Sequence, residues 1–253
     1  MRTLFMLIVG LLLTGCAQQH GRLLIIGGAL DADNAPIYRA LEREPDERLR
    51  IVVIPTASGV PERSGPGTAM DLHANLERPT VTVIDPRTAP MREVVRAIDG
   101  ADAVWFTGGD QRRITEHLLD TPAHRACFRL LDRGGTIAGT SAGAAMMGDV
   151  MITGGRRDEV ETARGMGFLP GVLTDQHFRE RERLERLSAA MTRHEIGVGV
   201  GVNENRAVLV DLGTRQMRTI GALACTYLVF DREKPLSLVR DIDDDATVIA
   251  LPE

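Results

Sequence analysis

Short, fully apolar runs alternate with longer amphipathic segments along most of the chain. The clearest runs are residues 23–26, 51–54 and 103–106, and each of them is followed directly or closely by glycine or proline. A strand without polar positions is typical of a parallel sheet that is covered on both faces. We therefore predict strands in these runs, and two more at residues 80–84 and 135–138.

Segments with helical spacing of apolar residues lie between these runs. We predict helices at residues 35–44, 70–77, 92–98, 112–119 and 122–131. This alternation predicts an α/β fold with a mostly parallel sheet and helices on both faces. Beyond residue 195 we predict later strands, some of them antiparallel, at residues 197–200, 207–210, 217–220 and 226–230.

A serine flanked by glycines follows the run at 135–138. The motif Gly139-Thr140-Ser141-Ala142-Gly143 leads into a segment of small residues that can form a helix. Strand, sharp turn with serine, and helix form the layout of a nucleophile elbow, in which the helix amides face developing negative charge. Ser141 is therefore a candidate nucleophile and Ala142 a candidate oxyanion donor. The alternative is a glycine-rich turn whose serine only caps the helix.

The candidate base is His177, one of six histidines in the chain. It is the one that lies beside polar residues just past an apolar stretch. Serine before histidine, with an acid between them, is the chain order of α/β-hydrolase triads. In open α/β sheets the site lies at the carboxyl ends of the strands, where four loops, at residues 27–28, 55–56, 108–111 and Ser141, are expected to converge. A structural histidine with satisfied hydrogen bonds is the alternative.

An arginine-rich segment, predicted to be helical, begins directly after Phe178. Arg181, Arg183 and Arg186 start within one turn of His177. A guanidinium can bind a carboxylate through two parallel hydrogen bonds, so these side chains are candidate substrate ligands. The alternative is a solvated helix face on which arginine and glutamate pair at i,i+4.

Composition narrows the classes of function. A net charge of −5 gives no electrostatic reason to bind nucleic acid, and 4% aromatic residues disfavour a base-stacking surface. Lys234 is the only lysine, which argues against a Schiff-base cofactor, and no His/Cys cluster suggests a metal. We therefore expect no cofactor and no metal. Cys127 and Cys225 could pair or remain buried thiols, and the oligomeric state is left open, a homodimer included.

The N-terminus predicts export. A positive charge at Arg2 precedes an apolar run at residues 4–13 that is too short to span a bilayer, as in a secretory signal peptide. The ending Leu13-Thr14-Gly15-Cys16 resembles a bacterial lipobox, in which Cys16 is lipidated after cleavage. We predict a signal peptide at 1–15, a lipid-anchored tether at 16–22 and one α/β domain at 23–253. We therefore expect the protein on the cell envelope, and Ala17 after the cysteine predicts the outer membrane if the rule for bacterial lipoprotein sorting applies. An ordinary cleaved signal is the alternative.

Three segments together resemble the cyanophycinase family of serine exopeptidases, which is related to aspartyl dipeptidases. They are residues 108–111 (Gly-Gly-Asp-Gln), 139–145 (Gly-Thr-Ser-Ala-Gly-Ala-Ala) and 175–178 (Asp-Gln-His-Phe) with the spaced arginines. The resemblance implies a flavodoxin-like fold, similar to class I glutamine amidotransferases. It also implies hydrolysis of cyanophycin, a polyaspartate whose side-chain carboxyls each carry an arginine through an isopeptide bond. The product is β-Asp-Arg dipeptide, formed through an acyl-enzyme.

The resemblance also implies roles for individual residues. Ser141 becomes the nucleophile and His177 the general base, with Gly28 and Ala142 as oxyanion donors. Asp175 is expected to receive a substrate amino or guanidinium group. The full set of implied pocket residues is Gln111, Asp175, Gln176, Arg181, Arg183 and Arg186.

The third member of the triad is predicted less directly. The family carries a glutamate between serine and histidine, and Glu159 has the matching separation from Ser141, with Glu161 as the competitor. A surface-loop glutamate is the alternative for both. The segment Asn203-Glu204-Asn205 resembles one that reads Asp-Glu-Asn in the family, and no role follows for its changed first residue.

Two other functions stay open at this point. One is a dipeptidase for other aspartyl or isoaspartyl peptides, since pocket contacts set specificity. The other is a lipid-anchored binding protein that has kept the fold and lost the chemistry. An esterase is disfavoured because the arginine cluster suits carboxylates rather than a broad apolar acyl group.

Overall fold

The computed structural model of the 253-residue chain describes residues 21–44, 48–156, 159–221, 225–229, 238–242 and 248–251. The predicted signal peptide and Cys16 lie outside these ranges, so the leader, tether and domain boundaries stay predictions. Within the described ranges, none of the helices combines the length and the apolar character that crossing a bilayer requires.

The described residues form helices and strands that alternate through the first half of the chain. The helices are α1 (Ala35–Arg39), α2 (Pro61–Asn75), α3 (Met91–Asp99), α4 (Gln111–Leu118), α5 (Pro122–Asp132), α6 (Ala142–Ala145) and α7 (Leu184–His194). The first seven strands are β1 (Arg22–Ile26), β2 (Leu49–Ile54), β3 (Pro79–Val83), β4 (Ala103–Phe106), β5 (Thr136–Thr140), β6 (Val150–Gly154) and β7 (Glu161–Arg164). The later strands are β8 (Val172–Gln176), β9 (Val198–Val202), β10 (Ala207–Asp211), β11 (Gln216–Ile220), β12 (Cys225–Val229), β13 (Leu238–Ile242) and β14 (Val248–Ala250).

The largest sheet in the described part of the chain has eight strands in the order β14-β11-β10-β1-β5-β4-β2-β3. The pairings from β1 through β5, β4 and β2 to β3 are all parallel, and β10, β11 and β14 extend the sheet beyond β1 through antiparallel pairings. The predicted α/β class with a parallel core is therefore confirmed. The carboxyl ends of β1, β5 and β4 lie side by side, because these three strands are neighbours and run in the same direction.

Helices cover both faces of this sheet, as predicted. Successive residues of β1 alternate between two apolar clusters, with Leu23 and Ile25 in one and Leu24 and Ile26 in the other. The first cluster takes in buried residues of α3, α4 and α5, and the second takes in those of α1 and α2. Both faces of β1 are dry, which explains why the strand carries no polar position between Leu23 and Ile26.

A second sheet stands beside the first and was not anticipated as a separate unit. It has the order β13-β12-β9-β8, with β8 and β9 parallel. Helix α7 packs on it through Leu187, Ala190 and Met191, against Leu173 of β8 and Leu228 of β12. The strands β6 and β7 form a separate antiparallel hairpin. The later strands predicted at 197–200 and 226–230 thus belong to a different sheet from those at 207–210 and 217–220.

Some helix boundaries differ from the sequence prediction. The helix predicted at 35–44 ends at Arg39, and the one predicted at 70–77 begins at Pro61. Proline is well tolerated there because it lacks only an N–H that the first helical turn does not use. The arginine-rich segment is not helical before Leu184, since His177 and Glu182 have positive φ angles of 47° and 51°. Arg181 and Arg183 therefore lie on a turn, and Arg186 alone of the three lies in α7.

The two cysteines are free buried thiols, Cys127 in α5 and Cys225 in β12. Burial raises the pKa of each thiol to about 12, so neither forms a thiolate at neutral pH. The pairing left open by the sequence does not occur in this fold.

Candidate active site

Three successive carbonyl groups at the end of β1 hold the three loops of the site. The carbonyl of Ile26 accepts a hydrogen bond from the N–H of Ser141 at 2.9 Å, and that of Gly27 from the N–H of His177 at 2.7 Å. The carbonyl of Gly28 accepts one from the N–H of Asn205 at 2.8 Å. The loops after β5, β8 and β9 therefore meet at one short turn. Buried strands of the two sheets bring these carboxyl ends together.

Ser141 occupies a strained turn between β5 and α6. Its backbone has φ 51° and ψ −104°, a combination that a non-glycine residue rarely adopts. The flanking glycines are required by close backbone contacts. A Cβ atom on Gly139 would stand 2.2 Å from the carbonyl oxygen of Gly143, and one on Gly143 would stand 2.6 Å from the carbonyl oxygen of Phe106. The strand, turn and short helix have the layout of a nucleophile elbow.

His177 lies directly against the serine. Its Nε2 atom is 2.9 Å from Ser141 Oγ. Gly28, with φ 104°, packs closely against the ring, where an added Cβ atom would stand 2.3 Å from His177 Cε1. The imidazole contacts both residues, and His177 is 8% exposed as a whole residue.

Glu204 provides the carboxylate partner of His177. Glu204 Oε1 lies 2.5 Å from His177 Nδ1. An ionised carboxylate can only accept, so Nδ1 carries the proton and donates it to this hydrogen bond. Nε2 is thereby left as the acceptor that faces the serine hydroxyl. The arrangement Ser141–His177–Glu204 has the connectivity of a catalytic triad.

The prediction that Glu159 orients the histidine is wrong in this structure. Glu159 is exposed in the turn before β7, and its N–H donates to the carbonyl of Arg156. Its competitor Glu161 is exposed on β7 and directs its carboxylate toward Gly154. Both lie on the β6–β7 hairpin, whereas the position beside Nδ1 is supplied by the loop after β9.

The sequence contains a signal for Glu204, but this residue follows His177 instead of lying between Ser141 and His177, where the triad acid was predicted. The segment Asn203-Glu204-Asn205 follows two residues after the apolar run at 197–200 and directly after β9, so it is a polar loop at the end of a strand. Because β8 and β9 pair in parallel with Gln176 opposite Val202, the residues that follow them are neighbours. Asn203 and Asn205 fasten this loop: Asn203 Oδ1 accepts the N–H of Arg179, and Asn205 Oδ1 accepts the N–H of Asp31.

Burial lowers the pKa of His177 below its ordinary value, since a charged imidazole loses hydration there. The hydrogen bond to Glu204 opposes this shift, and the nearby charges of Arg181 and Arg183 reinforce it. The net direction is downward. At neutral pH the imidazole is therefore neutral, which is the state that can accept a proton from the serine.

Asp175 is buried in an ion-pair cluster rather than open to the pocket. It is 1% exposed, and Arg186 grips it with Nε and Nη2 at 2.7 and 2.5 Å. Arg183 Nη1 adds a contact of 3.3 Å to the same carboxylate. The predicted role of Asp175, receiving a substrate cation, is therefore taken by two arginines of the chain itself.

Arg183 is also bound to the residue before His177. Its Nη1 atom donates to the backbone oxygen of Gln176 at 2.6 Å and to its side-chain oxygen at 2.8 Å. Burial lowers the pKa of Arg183 to about 10, so the guanidinium remains charged at neutral pH. Asp175, Gln176, Arg183 and Arg186 thus form one network that holds the histidine loop.

The two remaining predicted pocket residues have different surroundings. Gln111, the first residue of α4, is 8% exposed, and its Nε2 donates to the carbonyl of Ile152 in β6 at 2.5 Å. Arg181 is exposed, and its backbone N–H donates to the carbonyl of His177 at 3.2 Å. Of the three arginines predicted to meet substrate, Arg183 and Arg186 bind Asp175, and Arg181 is the exposed one.

Two backbone amides beside the serine are available to a ligand. Neither the Gly28 nor the Ala142 N–H has an acceptor among the described residues. Ala142 is the first residue of α6, where the amides of a helix face outward. Within the described ranges, no group of three or more His, Cys, Asp and Glu side chains is placed to hold a metal ion.

Comparison with known proteins identifies related chains. A family model described as peptidase family S51 matches residues 23–217. The chain is 36% identical over 201 residues to a cyanophycinase from a Nostoc species, which covers 74% of this chain and 67% of that protein. It is 32% identical over 194 residues to a cyanophycinase from Geminocystis herdmanii, covering 72% of this chain and 71% of that protein.

Solved structures show the same fold at lower sequence similarity. A peptidase from an acI-B1 actinobacterium superposes with a TM-score of 0.69 over 92% of this chain and 98% of its own, at 19% identity. At that identity the likeness concerns the fold alone.

Proposed function

Because this chain belongs to peptidase family S51 and is a serine-type peptidase, we propose that it hydrolyses cyanophycin to β-Asp-Arg dipeptides. The observation that carries the proposal is the contact of Ser141 Oγ with His177 Nε2 at 2.9 Å, with Glu204 on the opposite ring nitrogen. The proposed substrate is based on the relatives named cyanophycinase, and the proposed reaction is based on the geometry of the site.

The proposed reaction begins with attack by Ser141 Oγ on the carbonyl carbon of the aspartyl amide that joins two backbone units. His177 Nε2 takes the hydroxyl proton, and Glu204 stabilises the imidazolium that forms. The C–N bond then breaks, and His177 returns the proton to the leaving amine. Water repeats the cycle on the ester and releases the acid. The isopeptide bond to arginine is not broken and stays in the product.

The oxyanion in this scheme rests on the amides of Gly28 and Ala142. Ala142 follows Ser141 in the chain, Gly28 packs against His177, and the N–H groups of both lack a protein acceptor among the described residues. Amides that are already oriented stabilise the charged intermediate without reorganisation, and removing one such donor typically costs about 10²–10³-fold in kcat.

We further propose that the protein is exported and anchored to the envelope through lipidated Cys16. The motif Leu13-Thr14-Gly15-Cys16 and the apolar run before it support this location. Mass spectrometry of the membrane fraction is expected to find acylated Cys16 as the first residue. A soluble Cys16→Ala protein would agree with the proposal, whereas an equal membrane content of variant and parent would contradict it.

The test of the activity is incubation of the domain from Gln18 onward with cyanophycin granules, beside a Ser141→Ala control. The expected result is release of β-Asp-Arg by the parent alone, read by mass spectrometry, with matching circular dichroism spectra. Cleavage of small isoaspartyl dipeptides, without release of β-Asp-Arg from the granules, would show that the substrate is an isoaspartyl dipeptide and not cyanophycin. Turnover by Ser141→Ala would remove the serine from its proposed role.

A further inference from the structure

A cavity of about 800 Å³ opens between the tip of the β6–β7 hairpin and the loop that follows His177. Its walls are Gly155 and Arg156 on the hairpin and residues 180–186 on the opposite side. The wall is strongly charged, with arginines and glutamates on the same surface. A charged lining of this kind suits a charged ligand better than an apolar one.

One wall of the cavity begins close to His177 in the chain. The N–H of Arg181 donates to the carbonyl of His177 at 3.2 Å, so the loop forming one wall begins at the proposed base. The charges of Arg181 and Arg183 also act on the imidazole, since both lower the pKa of His177. A substrate whose scissile bond lies at Ser141 can therefore extend into this space.

The hairpin is fastened to the elements that carry the opposite wall. Arg193 Nη1, in α7, donates to the carbonyl of Val160 at 2.5 Å, and His194 Nε2 lies 2.8 Å from Thr162 Oγ1. At its base, the carbonyl of Ile152 accepts the amide of Gln111. Because α7 also carries Arg186, the two walls belong to one braced unit, and the position of Arg156 relative to the cavity is set by the fold.

The arginines of the cavity differ in what they already bind. Arg183 and Arg186 are engaged with the buried carboxylate of Asp175. Arg156 and Arg181 are both exposed, and neither has an ion-pair partner among the described residues. Two guanidinium groups without carboxylate partners, on facing walls of one cavity, can bind a single carboxylate from a ligand.

We propose that Arg156 is a specificity-determining residue, which acts with Arg181 to bind the arginine carboxylate of the substrate unit next to the one being released. This inference rests on the proposed function, because a cyanophycin unit presents such a carboxylate on every side chain. The same unit carries a guanidinium, which explains why Glu180 and Glu182 line the cavity together with the arginines. The hairpin thus recognises a unit outside the scissile bond and favours substrates longer than one unit.

The test measures binding in a Ser141→Ala background, where no turnover occurs. The probe is a synthetic trimer of the β-Asp-Arg repeat, compared by calorimetry with a trimer whose arginine carboxylates are converted to amides. Arg156→Gln removes the charge at similar length, and Arg156→Lys restores it. The matched control is Arg164→Gln, on the same hairpin but paired with Asp120 and 66% exposed.

We expect Arg156→Gln to weaken binding of the carboxylate trimer about tenfold, the effect of losing one charge-assisted contact. The amide trimer should bind equally to the Ser141→Ala parent and to its Arg156→Gln variant. For the carboxylate trimer, Arg156→Lys should recover most of the affinity, and Arg164→Gln should leave the affinity unchanged. Equal binding of the carboxylate trimer by Arg156→Gln and Arg164→Gln overturns the inference. Hydrolysis of the same trimer by the protein with Ser141 intact is measured separately. If binding depends on Arg156 but the trimer is not hydrolysed, the inference about Arg156 holds and the proposed reaction is overturned. If neither trimer binds, both the inference about Arg156 and the proposed function are overturned.

Discussion

Glu204 lies 2.5 Å from His177 Nδ1, although 27 residues separate them in the chain. The contact arises because β8 and β9 are parallel neighbours, so that the loops after them lie side by side. The acid therefore follows the histidine in the chain. A search limited to the segment between Ser141 and His177 could only find Glu159 and Glu161, which are on the surface of a hairpin.

Replacing Glu204 by Gln is expected to lower kcat by about 10³–10⁴-fold. The ring loses the negative charge that stabilises the imidazolium, and the amide NH2 of glutamine can donate to Nδ1 and favour the tautomer that cannot accept the serine proton. The matched control is Glu159→Gln, the same substitution on the exposed hairpin, which should retain nearly full kcat. Steady-state kinetics of both purified variants make the comparison. A larger loss of kcat in Glu159→Gln than in Glu204→Gln would show that Glu159 is the triad acid.

Gly28→Ala is expected to abolish most activity with only a modest loss of stability. The new methyl group would stand 2.3 Å from His177 Cε1 and must displace the imidazole. A displacement of about 1 Å in a reacting group can cost about 10²-fold in rate.

The control for the glycine experiment is Gly171→Ala. Gly171 also has a positive φ, 76°, but an added Cβ atom meets nothing within 4 Å. Both variants should lose about 1 kcal/mol or slightly more of unfolding free energy from backbone strain. Only Gly28→Ala should lose activity, and a parallel loss in Gly171→Ala would mean that strain, not the clash, is responsible.

The pH dependence of kcat/KM should show an acid limb with a midpoint below the ordinary histidine value of about 6.5. His177 must be neutral to act as a base, and burial lowers its pKa, so activity is present above that midpoint and disappears as the pH falls through it. Arg181→Gln removes a positive charge that lowers this pKa, and the midpoint should move to higher pH.

Arg179→Gln serves as the control for the pH experiment, since the charge of Arg179 is already paired with Asp241. Its profile should overlay that of the parent. If the midpoint of Arg181→Gln moves down instead, the electrostatic influence assigned to that arginine is wrong.

Asp175→Asn should destabilise the protein strongly. It removes the only carboxylate that Arg186 contacts in the described structure, leaving a guanidinium whose side chain is 10% exposed. Breaking one partner of a buried pair typically costs about 3–5 kcal/mol. Urea denaturation followed by circular dichroism measures the change.

An exposed pair provides the comparison for Asp175. Asp99 pairs with Arg129 at 2.8 Å, and the two side chains are 42% and 48% exposed. Asp99→Asn should cost less than about 1 kcal/mol, because solvent already screens the pair. Similar values for the two variants would contradict the structural role assigned to the Asp175 cluster.

Local sequence patterns identified the candidate residues whose conformation depends on their near neighbours in the chain. Glycines on both sides of Ser141 indicate a turn that no larger residue permits, and the apolar run before it indicates a buried strand. Such signals depend on close steric contacts within a few residues, so a single sequence carries them. The confirmed parallel core follows in the same way from strands with no polar position.

Long-range pairing decided the functions of the charged residues. Three arginines at similar spacing after His177 are equivalent as sequence. In the fold, Asp175 engages Arg183 and Arg186 and leaves Arg181 exposed. The start of the arginine-rich helix also differed from its prediction, because positive φ angles at His177 and Glu182 turn the chain before α7 begins.

The sequence by itself determined the fold class, the family and the local turn at Ser141, because periodic burial and close packing act between near neighbours. The tertiary structure alone decided that Glu204 faces His177 and that Arg156 faces the arginine loop across a cavity. Those side chains meet only after separate strands and loops have assembled, and the free energy of that assembly depends on contacts far apart in the chain.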